Sequence, residues 1–212
     1  MSEYMVEVHG AVKKFKETTA LKNVSFNFET GKIHGIIGRN GSGKTVLFKC
    51  ICGFMTLDRG KILVDGAPVG KTGTQDVGII IEDPGFINSV NGFQNLRMLA
   101  SIRGKIADDE IRDAIRAVGL DPNMKKPVRA YSLGMRHRLG IAQAIMEKPK
   151  LLILDEPMNG LDKHGVLEMR ELLKEINKNG TTILMSSHYS EDIDSLCDTV
   201  CEMDAGVLSI LG

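Results

Sequence analysis

The sequence contains no tryptophan, and aromatic residues make up only 5% of it. Its 27 basic and 27 acidic residues give a formal net charge of zero. A nucleic-acid-binding surface needs a basic excess to hold phosphates, and a single-strand binder also needs aromatic rings on which bases stack. The composition therefore argues against a nucleic-acid partner.

Long apolar runs are also absent. No segment approaches the roughly 18 consecutive apolar residues that would indicate a membrane-spanning helix. The first residues, 1–4, lack the basic and apolar regions of a secretory signal peptide. We therefore expect a cytoplasmic protein, which would act at the inner face of the cell membrane only through a partner.

Cysteines are few, at Cys50, Cys52, Cys197 and Cys201. A metal site is one interpretation, but the sequence has no C-x-x-C pair and no histidine close to these cysteines. The favoured interpretation is that they are buried free thiols in a reducing compartment.

Residues 38–45 read Gly-Arg-Asn-Gly-Ser-Gly-Lys-Thr, which is the spacing of a phosphate-binding loop. The glycines let backbone N–H groups turn inward around a polyphosphate, and Lys44 adds a positive charge. Thr45 offers a hydroxyl to Mg²⁺. An apolar strand at residues 32–37 and a helix at residues 45–52 are the flanks that such a loop requires. The sequence therefore predicts binding of a nucleoside triphosphate.

A second chemical signal lies at residues 151–156, where four apolar residues precede two acids. Ligands of parallel sheets bind at the carboxyl ends of the strands, so these acids are well placed. Asp155 could bind Mg²⁺ directly or support a group that binds it. Glu156 could orient and deprotonate the attacking water. The alternative is a solvated strand end, where acids are common.

The order of elements predicts an α/β protein. Residues 6–9 and 24–28 alternate apolar and polar side chains, as antiparallel strands with one solvated face do. Helical spacing dominates residues 91–148. Buried parallel strands are predicted from three continuous apolar runs: 77–81, 151–154 and 182–185.

Three further segments accompany the phosphate loop and the acidic strand. They are Tyr-Ser-Leu-Gly-Met at 131–135, Pro-Met-Asn-Gly-Leu-Asp at 157–162, and His188 after Met-Ser-Ser. In this order and spacing the motifs resemble those of the ATP-binding cassette (ABC) ATPases. The resemblance extends from about residue 6 to residue 208.

The resemblance implies the ABC-ATPase fold. This fold is a phosphate-loop, parallel-sheet core with an N-terminal antiparallel β subdomain and an inserted helical subdomain. Residues 1–212 would form one domain, with 1–82 and 149–212 in the ATP-binding core and about 83–148 in the helical signature subdomain.

The resemblance also implies a mechanism, in which two cassettes sandwich two ATP molecules head to tail. Catalytic roles would fall to Lys44, Glu156 and His188, and Mg²⁺ contacts to Thr45, Glu82 and Asp155. The residues that would contact ATP are Phe15, Gly38, Arg39, Asn40, Gly41, Ser42, Gly43, Lys44, Thr45, Val46, Glu82, Ser132, Gly134 and Asp162.

Several of these positions have simpler explanations. Ser132 and Asp162 could be only helix N-caps, although a cap leaves the helix terminus free to face a phosphate. Phe15 could stack on adenine or pack in the core. His188 could reach the γ-phosphate or be an exposed residue after a strand.

Two departures from the family pattern stand out. Leu133 and Met135 replace a glycine and a glutamine of the usual signature, and Glu82 replaces a glutamine. A carboxylate at position 82 can still bind Mg²⁺ or hold a water. Both variants look like the cassettes of drug- and peptide-resistance exporters, such as those for bacitracin and lantibiotics.

The resemblance therefore implies an ATP-hydrolysing subunit of a membrane transporter, which drives export of a drug, peptide or lipid-like compound. Its partners would be a separate transmembrane permease and a second ABC ATPase subunit, as a homodimer. Residues 83–90, with exposed Phe86 and Ile87, would form the coupling surface. The alternative is a soluble ABC ATPase of DNA repair, translation or cofactor assembly, which the single cassette and neutral charge disfavour.

Overall fold

A computed structural model describes residues 2–70, 76–82 and 84–211. Asp83, which opens both the predicted helical subdomain and the predicted coupling surface, lies outside these ranges. The elements in chain order are β1 (Tyr4–Phe15), β2 (Thr18–Glu29), β3 (Ile33–Ile37), α1 (Lys44–Ile51), β4 (Arg59–Val64), β5 (Ala67–Pro68), β6 (Val77–Ile80), α2 (Gly92–Arg103), α3 (Asp108–Ala117), α4 (Leu133–Ile145), β7 (Leu151–Asp155), α5 (Lys163–Lys178), β8 (Thr182–Ser186), α6 (Ser190–Leu196), β9 (Thr199–Asp204) and β10 (Val207–Leu211).

The N-terminal sheet is antiparallel, with the strand order β2-β1-β4-β5. The pair formed by β1 and β2 aligns Val6 with Phe28 and Val8 with Phe26. Val6, Val8 and Phe28 are buried, and intervening residues face outward. The alternating pattern of the sequence therefore corresponds to a sheet with one packed face, as predicted.

The second sheet has the order β10-β9-β3-β8-β7-β6, and all its pairs are parallel except β9 with β10. Its central strands are covered on both faces. In β7, Leu151 and Ile153 pack on the side of α1 and the antiparallel sheet, while Leu152 and Leu154 pack on the side of the long helices. Burial on both faces explains why this strand is continuously apolar.

Helices α2, α3 and α4 pack on one another within residues 91–148, the stretch in which helical spacing predicts them. Leu96 is buried in the core, but Leu99 and Ile102, which follow it at helical spacing, are exposed. Across the described part of the chain, no helix combines the length and the hydropathy needed to cross a membrane.

The prediction that Phe86 is exposed is wrong, whereas the prediction that Ile87 is exposed is confirmed. Phe86 is 9% exposed and packs with Leu96, and Ile87 is 50% exposed. The Asn95 side chain accepts a hydrogen bond from the Ile87 amide (2.7 Å) and donates one to the Ile87 carbonyl (3.1 Å). These two bonds hold the backbone next to Phe86 against α2.

All four cysteines are free thiols, as predicted. Cys50, Cys52 and Cys201 are buried, and Cys197 is half-buried. Burial raises the pKa of Cys50 to about 11 and the pKa values of the other three to about 12. Thiols that stay protonated at neutral pH are poor nucleophiles, so these cysteines serve packing.

Gly78 sets how closely α4 approaches the parallel sheet. A Cβ atom at this buried position of β6 would lie 2.0 Å from the backbone oxygen of Ala144, near the end of α4. A backbone carbonyl cannot move aside as a flexible side chain can. The strand therefore needs glycine here.

We predict that Gly78→Ala lowers the free energy of unfolding by about 1–3 kcal/mol, because the methyl group must push α4 away from the sheet. Urea denaturation measures this change. Gly70→Ala is the matched control, since a Cβ there has nothing within 4 Å. Equal stability of the two variants would contradict the packing argument.

Candidate functional site

The loop between β3 and α1 is built around glycines that no other residue could replace. Gly38 and Gly43 have φ angles of 145° and 119°, which L-residues rarely adopt. A Cβ at Gly38 would lie 2.2 Å from the Met203 backbone oxygen, and one at Gly43 would lie 2.5 Å from the Ala20 backbone oxygen. The loop thus keeps its shape because neighbouring backbone encloses it.

Lys44 places a positive charge inside this loop. The residue is only 6% exposed, and its ammonium group donates to the Gly38 carbonyl at 2.6 Å and to the Arg39 carbonyl at 3.4 Å. Carbonyl groups solvate a cation without neutralising it. The charge therefore remains available to an anion at the mouth of the loop.

Asp155 joins the start of α1 to the ends of two strands. Its Oδ2 accepts a hydrogen bond from Thr45 Oγ1 (2.7 Å), and its Oδ1 accepts one from Ser186 Oγ (2.6 Å). Ser186 Oγ also accepts from the Glu156 amide (3.0 Å). Since β7 and β8 are parallel neighbours, their carboxyl ends meet at one edge, which brings these groups together.

Glu156 is held in an unusual conformation beside this cluster. Its φ is 55°, in the left-handed region that non-glycine residues occupy only at a cost. Its Oε1 is buried and lies 3.1 Å from His188 Nε2, an ion-pair distance at which the geometry does not make a hydrogen bond. Burial raises the pKa of Glu156, and the nearby His188 opposes the rise. The carboxylate is therefore a stronger base than an exposed glutamate.

His188 reaches across to the phosphate loop. Its amide donates to Glu156 Oε2 (3.2 Å), and its Nε2 lies 3.1 Å from both Asn40 Oδ1 and Glu156 Oε1. These contacts span the gap between the loop and the acidic strand. His188 is exposed after a strand, as the alternative expects, and it also contacts the loop and the acidic strand.

These groups line a cleft of about 240 Å³. Ser42 Oγ is a second buried polar atom in this cleft that lacks a hydrogen-bond partner among the described residues. The Ser42 hydroxyl can donate to an acceptor, and the Glu156 carboxylate, whose Oε1 contacts His188 without a hydrogen bond, can attract a cation or a polar hydrogen. A triphosphate with a bound divalent cation fits both.

Phe15 and Glu82 lie apart from this cleft. Phe15 is 42% exposed at the end of β1, with Lys13 Nζ 5.6 Å from its ring centroid, so the alternative of core packing is wrong. Glu82 has a φ of 64° and pairs with Lys49 Nζ at 2.6 Å. In this structure its carboxylate contacts α1 rather than Asp155 or Glu156.

Ser132 and Asp162 both cap helices. Ser132 Oγ accepts from the Met135 amide at the start of α4 (3.2 Å), and Asp162 Oδ1 accepts from the Gly165 amide at the start of α5 (2.7 Å). Both residues are exposed. Each helix start therefore faces outward, where it is open to a second molecule.

Ser186 is a site residue that sequence reasoning missed. It bridges Asp155 and the Glu156 amide, but its position at the end of a buried strand indicated only the strand itself. The available signal was a hydroxyl residue at the carboxyl end of a strand next to the acidic strand. Ser186 could be recognised only from the order of the strands in the sheet, which cannot be read from the sequence.

Comparison with known proteins agrees with this geometry. Residues 21–159 match the family model described as ABC transporter. The bacitracin transport ATP-binding protein BcrA of Enterococcus faecalis is 40% identical over 97% of this chain and 68% of its own. The lantibiotic transport ATP-binding protein SrtF of Streptococcus pyogenes is 35% identical over 92% of this chain and 85% of its own.

Among solved structures, cbiO1 from Clostridium perfringens, part of the ABC transporter complex cbiONQ, has a TM-score of 0.82 at 29% identity, over 98% of this chain and 88% of its own. The chain belongs to the ABC transporter family. It is the ATP-binding, ATP-hydrolysing subunit of a transporter, and it resembles the bacitracin and lantibiotic cassettes as predicted. Subunits of this kind dimerise and work with transmembrane permeases.

We predict that Ser186→Ala lowers the free energy of unfolding by about 1–3 kcal/mol, because Asp155 loses a hydrogen bond and the Glu156 amide loses its acceptor. Ser209→Ala, an exposed serine on the edge strand β10, is the control. Chemical denaturation of both variants gives the comparison. A loss no larger than that of the control would show that the serine does not support the acidic pair.

Proposed function

We propose that the cleft holds the phosphates of ATP, with Lys44 and the amides of residues 38–46 around them. The observation that carries this assignment is the Thr45–Asp155 hydrogen bond, which joins the phosphate loop to the acidic strand. The unpaired Ser42 hydroxyl supports it, because a phosphate oxygen would accept its proton. Phe15, exposed at the end of β1, suits stacking on adenine.

We propose that Thr45 and Asp155 hold Mg²⁺ with the nucleotide, and that the ion neutralises charge on the outer phosphates. Hydroxyl and carboxylate oxygens are the ligands that Mg²⁺ prefers. Glu82 would join them only after leaving Lys49, whose ammonium group now holds it. Glu82 is exposed and lies two residues beyond the end of β6, so it can change its position without unpacking the core.

We propose Glu156 as the general base for the attacking water. Its Oε1 is buried at the cleft and makes no hydrogen bond to the described residues, and burial raises the pKa of the carboxyl group, as proton abstraction requires. His188, between Asn40 and Glu156, is placed to contact the γ-phosphate and to orient the base. Lys44 would stabilise the charge that develops on the transferred phosphoryl group.

We propose that the partner cassette is a second copy of this chain. Ser132, Gly134 and Asp162 would contact the ATP bound to that copy. Ser132 and Asp162 are exposed at the ends of capped helices. Leu133 and Tyr189, which are 66% and 58% exposed, add apolar area that a second subunit could cover.

We propose that the chain powers export of a drug, peptide or lipid-like compound through a separate permease, at the inner face of the cell membrane. The bacitracin and lantibiotic relatives support this proposal. The permease would dock in a groove of about 840 Å³ between β6 and helices α2 and α4, within the helical subdomain of residues 83–148 and its border with the core. Phe54 and Ile102, which are 67% and 79% exposed, line it.

We predict that Lys44→Ala weakens ATP binding by about 10- to 100-fold, because Arg39, the other cation of the loop, is exposed and does not occupy the buried position of the Lys44 ammonium group. Lys125→Ala, an exposed lysine between α3 and α4, is the control. Equilibrium binding of a fluorescent ATP analogue measures the change. An undiminished affinity would contradict the loop assignment.

The same pair of variants tests export. Cells that produce the chain with its permease should resist a peptide antibiotic such as bacitracin, and Lys44→Ala should abolish the resistance while Lys125→Ala retains it. Resistance that is independent of Lys44 would count against the transport role without touching the ATP site.

A separate prediction concerns Glu156→Gln. Loss of the base should lower kcat by about 10²- to 10⁴-fold, while nucleotide binding persists and ATP traps a dimer, since the neutral amide removes a negative charge from the cleft. Glu202→Gln on the exposed side of β9 is the control. Phosphate release gives kcat, and light scattering with ATP gives the mass. A fully active variant would exclude Glu156 as the base.

A further inference from the structure

We propose that Asp192 is a positioning residue that fixes the turn carrying His188, acting through the Ser187 hydroxyl and anchored by Arg170. The proposal rests on the proposed contact between His188 and the γ-phosphate. It assigns a function to a buried carboxylate that lies outside the nucleotide cleft and that the hydrolysis mechanism above does not use.

Asp192 is almost fully enclosed, with 1% of its surface exposed. Its Oδ1 accepts two hydrogen bonds from the Arg170 guanidinium, from Nε at 2.8 Å and from Nη2 at 2.5 Å. Its Oδ2 accepts one from Ser187 Oγ at 2.9 Å. A buried carboxylate is costly unless it is paired, so the arrangement needs all three donors and holds them in a narrow geometry.

Ser187 passes this constraint to the histidine turn. The side chain is 3% exposed, and after donating to Asp192 its oxygen accepts from the Tyr189 amide at 3.1 Å. The two residues that flank His188 are thus tied to one hydroxyl group. With both neighbours fixed, the direction in which the His188 side chain leaves the backbone is fixed as well.

The side chain of His188 needs such support, because its own contacts are few and lie at the cleft surface. Its Nε2 lies 3.1 Å from Asn40 Oδ1 and from Glu156 Oε1, and its side chain is 43% exposed. An exposed imidazole on an unrestrained turn would sample several orientations. The buried carboxylate supplies the rigidity that the exposed ring lacks.

Arg170 connects this turn to another part of the proposed nucleotide site. It lies on α5, the helix that Asp162 caps at its start. Asp162 is a proposed contact across the dimer. The Arg170–Asp192–Ser187 chain therefore links the dimer-facing end of the molecule to the histidine of the cleft through one rigid helix.

The test compares two variants that leave the ion pair intact. Ser187→Ala removes only the hydroxyl, whereas Ser187→Thr keeps it. Asp192→Asn serves as a third variant. Its amide NH₂ group is a donor, so it must face Arg170 or Ser187, each of which donates to the carboxylate of the wild type. Asp194→Asn is the matched control, since it makes the same change at an exposed position of the same helix, α6. Thermal melting checks that each full-length variant folds.

We expect Ser187→Ala to lower kcat for ATP hydrolysis about 10-fold with little change in KM, because a small misplacement of a catalytic group affects the chemical step more than binding. Ser187→Thr and Asp194→Asn should keep the wild-type kcat. The double variant Ser187→Ala/His188→Ala should be no slower than His188→Ala alone, since Ser187 acts only through the histidine.

Wild-type kcat in Ser187→Ala would overturn the proposal, and so would losses that multiply in the double variant, which would indicate a general structural role. A different result would show that the proposed function of His188 itself fails. In that case His188→Ala would hydrolyse ATP at the wild-type rate, which would refute the role of the histidine in hydrolysis rather than its positioning by Ser187.

A spectroscopic measurement decides the positioning independently of catalysis. The chain has five histidines, and the loss of one signal in His188→Ala assigns the His188 imidazole in the NMR spectrum of the nucleotide-free chain. The assigned signal should move in Ser187→Ala and Asp192→Asn, and stay in place in Ser187→Thr and Asp194→Asn. An unmoved signal in Ser187→Ala would overturn the proposal even if activity changed.

Discussion

The site depends on one carboxylate, Asp155, whose two oxygens are each committed to a different element. One accepts from Thr45 at the start of α1, and the other from Ser186 at the end of β8. The position of the phosphate loop relative to the acidic strand follows from these two bonds. Because the neighbouring Glu156 shares Ser186 through its amide, the candidate base is set by the same constraint.

The parallel sheet makes this convergence possible, and its packing explains how much the sequence could reveal. Continuous apolar runs identified β6, β7 and β8, because polar residues stand only at the ends of β7 and β8, where the buried strands reach the edges of the sheet. The phosphate loop and the acidic pair were equally readable, since their chemistry requires particular residues at fixed spacing. Helix caps at Ser132 and Asp162 were also predictable from local sequence.

Contacts between distant segments were not readable in the same way. The Pro- and Gly-containing loop predicts an exposed Phe86, whereas in the fold this residue is buried and the hydrogen bonds of Asn95 hold the adjoining Ile87 backbone. The pairing of Glu82 with Lys49 joins residues 33 positions apart and depends on how α1 lies beside β6. Likewise, Ser186 and Asp192 acquire their importance from partners that only the fold brings near. Sequence patterns indicate burial and local geometry, whereas these contacts depend on the topology of the fold.

Ser42 Oγ, a buried hydroxyl of the cleft with no hydrogen-bond partner among the described residues, links the stability of the folded chain to the supply of ATP. Each buried polar atom without a partner costs about 1–3 kcal/mol, and a nucleotide that binds only the folded form offsets such a cost. At a ligand concentration of roughly 100 times Kd, that linkage adds about 2.7 kcal/mol of stability. ATP at ample concentration therefore protects the subunit from unfolding and proteolysis. When ATP is depleted, the subunit stops working and loses this protection at the same time.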